Sequence, residues 1–241
     1  MSPIDIIDIG RNIEIVRQRI LSAAKKTGRN PSDIKIVAIT KNVDIEKIKQ
    51  AISCGIDIFG ENYIQEAKEK ISNLKYQISN IRWHFTGSLQ KNKVKYAVHL
   101  FDMIETVDNI ELAQEIDKRM IDRAMEVLIQ VNIGAEKTKS GCSEQDASTL
   151  AKEISRLKNI SIKGLMTMHP FCQNPEDARP HFKRLFEISK DIEMQDIENV
   201  SMKELSMGMS NDFEAAIEEG ATFIRIGTAI FGERTAKIKR R

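Results

Sequence analysis

Eight apolar, β-branched runs alternate with charged amphipathic stretches along almost the whole chain. The predicted strands cover residues 34–40, 56–60, 82–87, 100–106, 126–132, 160–168, 204–208 and 223–228. The segments between them carry apolar residues at helical spacing, and several begin with a capping Asp, Asn or Ser. Eight strands within about 200 residues favour a closed parallel (β/α)8 barrel of the TIM type over an open doubly wound sheet. A further helix over about residues 5–27 precedes the first strand and is an addition to the barrel.

The chain is expected to form one domain over residues 1–241, because no Pro-, Gly- or Ser-rich linker interrupts the alternation. Its 37 basic and 35 acidic residues give a net charge of +2, which offers no general attraction to nucleic acid or to an anionic membrane. The N-terminus lacks the pattern of a secretory leader, and no apolar run approaches the roughly 18 residues that span a bilayer. A cytoplasmic location is therefore expected.

The three cysteines, Cys54, Cys142 and Cys172, are widely spaced and lie outside any CxxC motif. An odd number of isolated cysteines supports neither a disulfide framework nor a zinc site. They are expected to be reduced and structural, and no metal site is predicted.

Lys41 directly follows the first predicted strand. In barrels of this type the functional residues lie at the C-terminal ends of the strands, so the side chain is expected at the working face. A lysine amine that is partly removed from water loses its proton more easily and attacks aldehydes. The simpler alternative is a lysine that only reaches solvent.

The loops after strands seven and eight are the usual phosphate-binding place in such barrels. Ser210 offers a hydroxyl, Gly227 allows close backbone approach, and Thr228 offers a hydroxyl and an amide. The segment from Ala229 can present helix N-terminal amides to an anion. In the alternative interpretation, Ser210 with Asn211 and Asp212 caps the following helix, and Gly227 only forms a turn.

Arg225 shares one face of the last strand with Phe223 and Gly227, so it is expected to point into the barrel. A buried guanidinium needs a partner. The nitrogen of a pyridine ring is one candidate, since a guanidinium can only donate and would keep that nitrogen unprotonated. The other is a carboxylate such as Glu61.

Three further residues have two interpretations each. Asn62, after strand two, can bond a ring hydroxyl or cap a helix that begins at Tyr63. His84, within strand three, is either a core histidine or a ligand. Met209 either packs in the core or rests against a flat ring.

Over residues 10–234 the chain resembles the pyridoxal phosphate homeostasis proteins, which are relatives of the N-terminal barrel of alanine racemase. The resemblance is carried by VAITK, FGENYIQEA, WHFTGSLQKNK, VNIGAEKTKSG, GLMTM, LSMGMSNDFEAAI and IRIGTAIFG. It implies a barrel that holds pyridoxal phosphate as a Schiff base on Lys41, with Arg225 at the ring nitrogen. The remaining residues that it implies at the cofactor are Asn62, Met209, Ser210, Gly227 and Thr228.

Two functions fit such a lysine: a non-catalytic protein that buffers or delivers the cofactor, and an amino-acid racemase or lyase. The racemase relatives bring a catalytic tyrosine from a second domain, whereas only Tyr63 among Tyr63, Tyr76 and Tyr96 lies near a strand end here. The carrier is therefore favoured, as a monomer that passes its cofactor to apo-enzymes. A barrel that binds another phosphorylated sugar or acid is a third interpretation.

Three segments have no firm assignment. Lys139 faces the same mouth of the predicted barrel and is a candidate for a transient second contact with the aldehyde. The loop over residues 169–175 has no evident role. The basic tail over residues 237–241 is expected to be solvated, although it could contact phosphates.

Overall fold

A computed structural model describes residues 7–74, 80–134, 140–170 and 172–233. Eight parallel strands follow one another around a closed barrel, and the last pairs with the first. The predicted fold class is confirmed. Lys139, Tyr76 and the basic tail lie outside the described residues.

The strands are β1 (Lys35–Ile39), β2 (Ile58–Glu61), β3 (Arg82–Phe85), β4 (Met103–Val107), β5 (Met125–Gln130), β6 (Ile160–Met166), β7 (Val200–Met209) and β8 (Phe223–Ile226). The helices are α1 (Ile9–Lys26), α2 (Ile45–Ser53), α3 (Ile64–Leu74), α4 (Val94–Leu100), α5 (Ile110–Arg119), α6 (Ala147–Ile154), α7 (Arg179–Glu193), α8 (Phe213–Glu218) and α9 (Thr228–Phe231). Among these described helices none is both long and apolar enough to cross a lipid bilayer.

Each of the eight predicted strands overlaps an observed one. The largest difference is β7, which begins at Val200 and not at residue 204. Its first four residues include the polar Ser201 and the exposed Lys203, which interrupt the apolar signal by which the strand was predicted. Strand β4 begins at Met103 because the apolar residue Leu100 ends the preceding helix.

The extra N-terminal helix is confirmed as α1. Asp8 caps it by accepting a hydrogen bond from the Arg11 amide at 2.9 Å. Its apolar face, which includes Ile13 and Val16, is buried in the core, and α1 packs against α8, α9 and α2. This helix therefore covers the outer side of the barrel where β8 meets β1.

Side chains alternate between the helix-facing and the interior sides of each strand. The interior contains an apolar set that is separate from the main core: Val37, Ile58, Met103, Leu128, Met166 and Phe223. At the N-terminal end of the barrel, ion pairs join Lys35 to Glu204 and Arg82 to Glu126. These layers fill the interior, so the barrel is a packed core and not a pore.

A buried polar chain lies one step nearer the C-terminal ends of the strands. His84 Nδ1 is 2.7 Å from Glu105 Oε1, and the Ser206 hydroxyl donates to Glu105 Oε2 at 2.6 Å. Arg225 Nη1 donates to the same Ser206 hydroxyl at 2.7 Å, and Arg225 Nη2 donates to the Thr167 carbonyl at 2.7 Å. Ser206 therefore links the guanidinium to the carboxylate.

Burial opposes ionisation of Glu105, but the hydrogen bonds from His84 and Ser206 and the charge of Arg225 outweigh it. The pKa of Glu105 consequently lies below its usual value of 4.5. Because an ionised carboxylate only accepts hydrogen bonds, Nδ1 of His84 carries a proton. These hydrogen-bonded residues thus place a negative charge near Arg225 inside the barrel.

We expect Glu105→Gln to lower the free energy of unfolding by roughly 3 kcal/mol at neutral pH, because the buried charge of Arg225 loses its counter-charge. Since the folded-state pKa is depressed, the stabilisation by Glu105 is complete above its usual value of 4.5 and is lost as pH falls through the folded-state pKa. Urea unfolding of both proteins across this range measures the difference. A difference that persists undiminished in acid would contradict this account, and Glu69→Gln, at an exposed position of α3, is the control.

Candidate functional site

The seven predicted site residues lie at the C-terminal ends of four strands that are neighbours in the closed barrel: β7, β8, β1 and β2. They are Lys41, Asn62, Met209, Ser210, Arg225, Gly227 and Thr228. Residues from both ends of the chain meet here because β1 pairs with β8, with Val37 opposite Arg225. The barrel thus gathers these residues at one mouth, as the position of active sites in this fold leads us to expect.

Lys41 lies in the loop that follows β1 and is half-buried. Its Nζ lies 4.9 Å from the centre of the Tyr63 ring, on the loop after β2. This distance is within the range of a cation–π contact. Tyr63 itself is 52% exposed, so the amine is near an aromatic ring at the open edge of the barrel and is not sealed in the core.

The Ser210 hydroxyl joins the loops after β7 and β8. Its Oγ accepts hydrogen bonds from the Gly227 amide at 3.3 Å and the Ala229 amide at 3.2 Å. Thr228, between them in sequence, is exposed. One hydroxyl and two amides thus converge on a single point, which is the donor type that binds phosphate oxygens.

The alternative in which Ser210, Asn211 and Asp212 cap the next helix holds for Asp212 and is wrong for Ser210. Asp212 is the N-cap residue of α8, and its carboxylate accepts from the Met209 amide at 2.8 Å. The Ser210 side chain turns away from α8, toward the loop after β8.

Arg225 points into the barrel, as predicted, and is 5% exposed. Burial lowers its pKa, while the charges of Glu105 and Asp212 oppose that shift. The alternative in which Glu61 is its partner is wrong. Glu61 faces the helix layer, where it pairs with Lys70 at 2.6 Å.

The alternative in which Asn62 caps a helix that begins at Tyr63 is wrong. Asn62 Oδ1 accepts a hydrogen bond from the Thr86 hydroxyl at 2.9 Å, and α3 starts at Ile64. Met209 is half-buried and pairs with Arg225 in the register of β7 and β8. His84 lies in the barrel interior, where its ring meets the edge of Phe223 with the centroids 5.3 Å apart.

The loop after β6, which the sequence left without a role, borders the site. Asn211 Nδ2 donates to the Cys172 carbonyl at 3.0 Å, and His169 Nε2 lies 3.2 Å from Asp212 Oδ2. These contacts connect the loop to the residues that follow Ser210. These two contacts therefore hold the loop after β7 against the loop after β6.

A groove of about 670 Å³ opens between the loops after β2 and β3. Tyr63 and Asn62 form one side, and Lys93 and Tyr96 form the other. Aromatic and cationic side chains line the groove, and one of them, Tyr63, also contacts Lys41.

Glu105 and Ser206 are functional candidates that the sequence reasoning missed. Both lie within strands, and their hydrogen bond joins residues 101 positions apart in sequence. The only available signal was strand alternation, since Glu105 shares a face with the buried Met103. A carboxylate on the interior face of a barrel strand requires a buried partner.

Residues 4–235 match the family model of the alanine racemase N-terminal domain. A pyridoxal phosphate homeostasis protein of Aquifex aeolicus is 42% identical over 91% of this chain and 95% of its own length. A crystal structure of an unknown protein from Bifidobacterium adolescentis is 34% identical, with a TM-score of 0.86 over 92% of this chain and 94% of that one.

The structure of PipY from Synechococcus elongatus with pyridoxal phosphate bound is 31% identical to this chain. Its TM-score is 0.79, and the match covers 90% of this chain and all of PipY (100%). The fold, the family model and these near-full-length relatives agree with one another. The chain belongs to the pyridoxal phosphate homeostasis protein family, whose barrel is that of the alanine racemase N-terminal domain.

Proposed function

We propose that this chain binds pyridoxal 5'-phosphate through a Schiff base with Lys41, and that it buffers the cofactor or delivers it to apo-enzymes in vitamin B6 homeostasis. The observation that carries the proposal is the meeting of Lys41 and the Ser210 donor cluster at adjacent strand ends of one barrel. The cofactor bound in PipY, at 31% identity over nearly the whole chain, supports the choice of ligand.

The residues present fit this cofactor. The hydroxyls of Ser210 and the exposed Thr228 offer donors for phosphate oxygens. The amides of Gly227 and Ala229, which donate to Ser210 Oγ in this structure, would turn to the phosphate when it binds. Arg225 lies below this cluster on the interior face of β8, where its guanidinium can donate to a ring nitrogen. Met209, at the end of β7, and Asn62, after β2, would border the ring from either side.

When bound, pyridoxal phosphate supplies an aldehyde, with which a deprotonated lysine amine forms a C=N bond and releases water. Lys41, whose side chain is half-buried at the mouth of the barrel, would provide that amine. Arg225 can only donate a hydrogen bond, so it holds a ring nitrogen unprotonated and weakens the ring as an electron sink. This restraint suits storage better than catalysis.

Racemase or lyase activity is the second candidate, and one contact favours it. The Tyr63 ring lies 4.9 Å from Lys41 Nζ, so a phenol is near the reactive amine. Such a group is a possible acid or base in amino-acid chemistry. Incubation of the loaded protein with L-amino acids, followed by chiral analysis, separates the two functions. Formation of D-enantiomers that Lys41→Ala abolishes would establish the enzyme and overturn the carrier.

We predict that the protein becomes yellow when pyridoxal phosphate is added and that borohydride fixes the cofactor to Lys41. Lys41→Ala should lower affinity by at least about 10-fold, because the covalent contact is lost while the phosphate contacts remain. Absorbance titration and peptide mass spectrometry measure both effects. The matched control is Lys152→Ala, at an exposed lysine of α6, which should behave as the unmodified protein does. A protein that stays colourless with excess cofactor would refute the proposal.

Ser210→Ala should weaken pyridoxal phosphate binding by about 10-fold, since a hydrogen bond to a charged group contributes roughly 1.5 kcal/mol. Binding of pyridoxal, which lacks the phosphate, should not change. Parallel titrations with the two ligands test this, with Ser148→Ala on α6 as the control. Equal losses for both ligands would show that Ser210 does not serve the phosphate.

A further inference from the structure

Lys70 on α3 is a buried lysine at the centre of an ion cluster next to Lys41. Only 9% of its side chain is exposed. Its Nζ donates to Glu61 Oε1 at 2.6 Å, to Glu66 Oε1 at 2.7 Å and to the Thr40 carbonyl at 2.5 Å. All three protons of the ammonium are therefore used.

The cluster also reaches the peptide groups on both sides of Lys41. The carbonyl of Thr40, just before it, accepts from Lys70, and the amide of Asn42, just after it, donates to Glu66 Oε1 at 2.6 Å. The Thr40 hydroxyl donates to Glu61 Oε1 at 2.6 Å. One helix thus fixes the main chain before and after the reactive lysine.

The backbone at this point needs such support. Asn42 has a φ of +58°, in the left-handed region that non-glycine residues adopt at some cost. Its hydrogen bond to Glu66 holds the amide in that conformation. The turn at Asn42 sets the direction in which the chain leaves β1, and hence where the Lys41 side chain begins.

Stability alone is a poor reason for this cluster. Burying a lysine and a glutamate costs desolvation energy that their attraction only partly offsets, and an apolar replacement is often as stable. Burial raises the pKa of Glu61, although Lys70 and Thr40 oppose the shift. The cluster does have a geometric effect that an apolar core would lack, because it makes directed bonds to the two peptide groups that flank Lys41.

We propose that Lys70 and Glu66 are positioning residues for Lys41, which hold its main chain so that the amine meets the cofactor aldehyde in the reactive geometry. The inference rests on the proposed function. Supporting groups of this kind act through the orientation of the residue that touches the ligand, and a misplacement of about 1 Å can cost up to about 100-fold in rate. The phosphate contacts lie on other strands and should be unaffected.

The test compares Glu66→Ala with Glu66→Gln. The alanine variant removes the acceptor for the Asn42 amide, whereas glutamine keeps an acceptor oxygen there. Glu66→Ala should slow the formation of the yellow species with pyridoxal phosphate by about 10-fold or more, and Glu66→Gln should restore most of the rate. Competition by inorganic phosphate, which reports on the Ser210 cluster, should be equal in both variants and in the unmodified protein.

Lys70→Met removes the centre of the cluster and should slow capture at least as much. The control for Lys70→Met is Lys152→Met. The control for Glu66→Ala is Glu69→Ala, at an exposed position of the same helix. Amide hydrogen exchange of the cofactor-free protein supplies a readout that needs no ligand. The Asn42 amide should exchange faster in Glu66→Ala and at the original rate in Glu69→Ala.

Capture rates that stay unchanged in Glu66→Ala and in a folded Lys70→Met would overturn the inference. So would equal slowing in Glu66→Ala and Glu66→Gln, because the acceptor oxygen would then be irrelevant. If Lys70→Met does not fold, the Glu66 pair decides alone, since that side chain is only partly buried. If the unmodified protein captures no cofactor, the proposed function fails instead, which keeps the two failures distinct.

Discussion

Pairing between the first and the last strand is the constraint on which the site depends. Hydrogen bonds between β1 and β8 close the barrel and set Val37 opposite Arg225. Because parallel strands have their C-terminal ends at the same rim, this register also brings the loops after both strands together. Lys41 and Gly227 therefore become neighbours in space although they lie near opposite ends of the chain. An open sheet with the same elements would leave them at two separate edges.

The alternation of side chains then sorts the buried charges into two separate systems. Arg225, Ser206 and Glu105 face inward and form a chain beneath the mouth of the barrel. Glu61 and Lys70 lie on the other side of the wall, between β2 and α3. Each buried cation has its own carboxylate, so neither system needs the other for neutrality. On the proposed function, one system would support the ring end of the site, and the other would support Lys41.

Much of this arrangement could be predicted from the sequence, because it depends on local patterns. Apolar runs gave the strands, and the rule that function lies after each strand identified Lys41, Ser210 and Gly227. Contacts between distant segments could not be predicted in the same way. The bonds from Ser210 to the loop after β8 depend on how two loops are oriented. That Glu61 is not the partner of Arg225 could have been predicted from the sequence. The strand alternation that turns Gly60 and Asn62 inward turns Glu61 outward.

The ion cluster around Lys70 has a consequence for the timing of cofactor exchange. It lies behind the barrel wall, and its bonds are all within the protein, so it is complete before any ligand arrives. A site whose main chain is already fixed needs no folding step on loading and none on unloading. On the proposed function, a protein with such a site releases its cofactor at a rate set by the chemistry at the Lys41 amine. The empty and the loaded protein would then present the same surface to an acceptor enzyme.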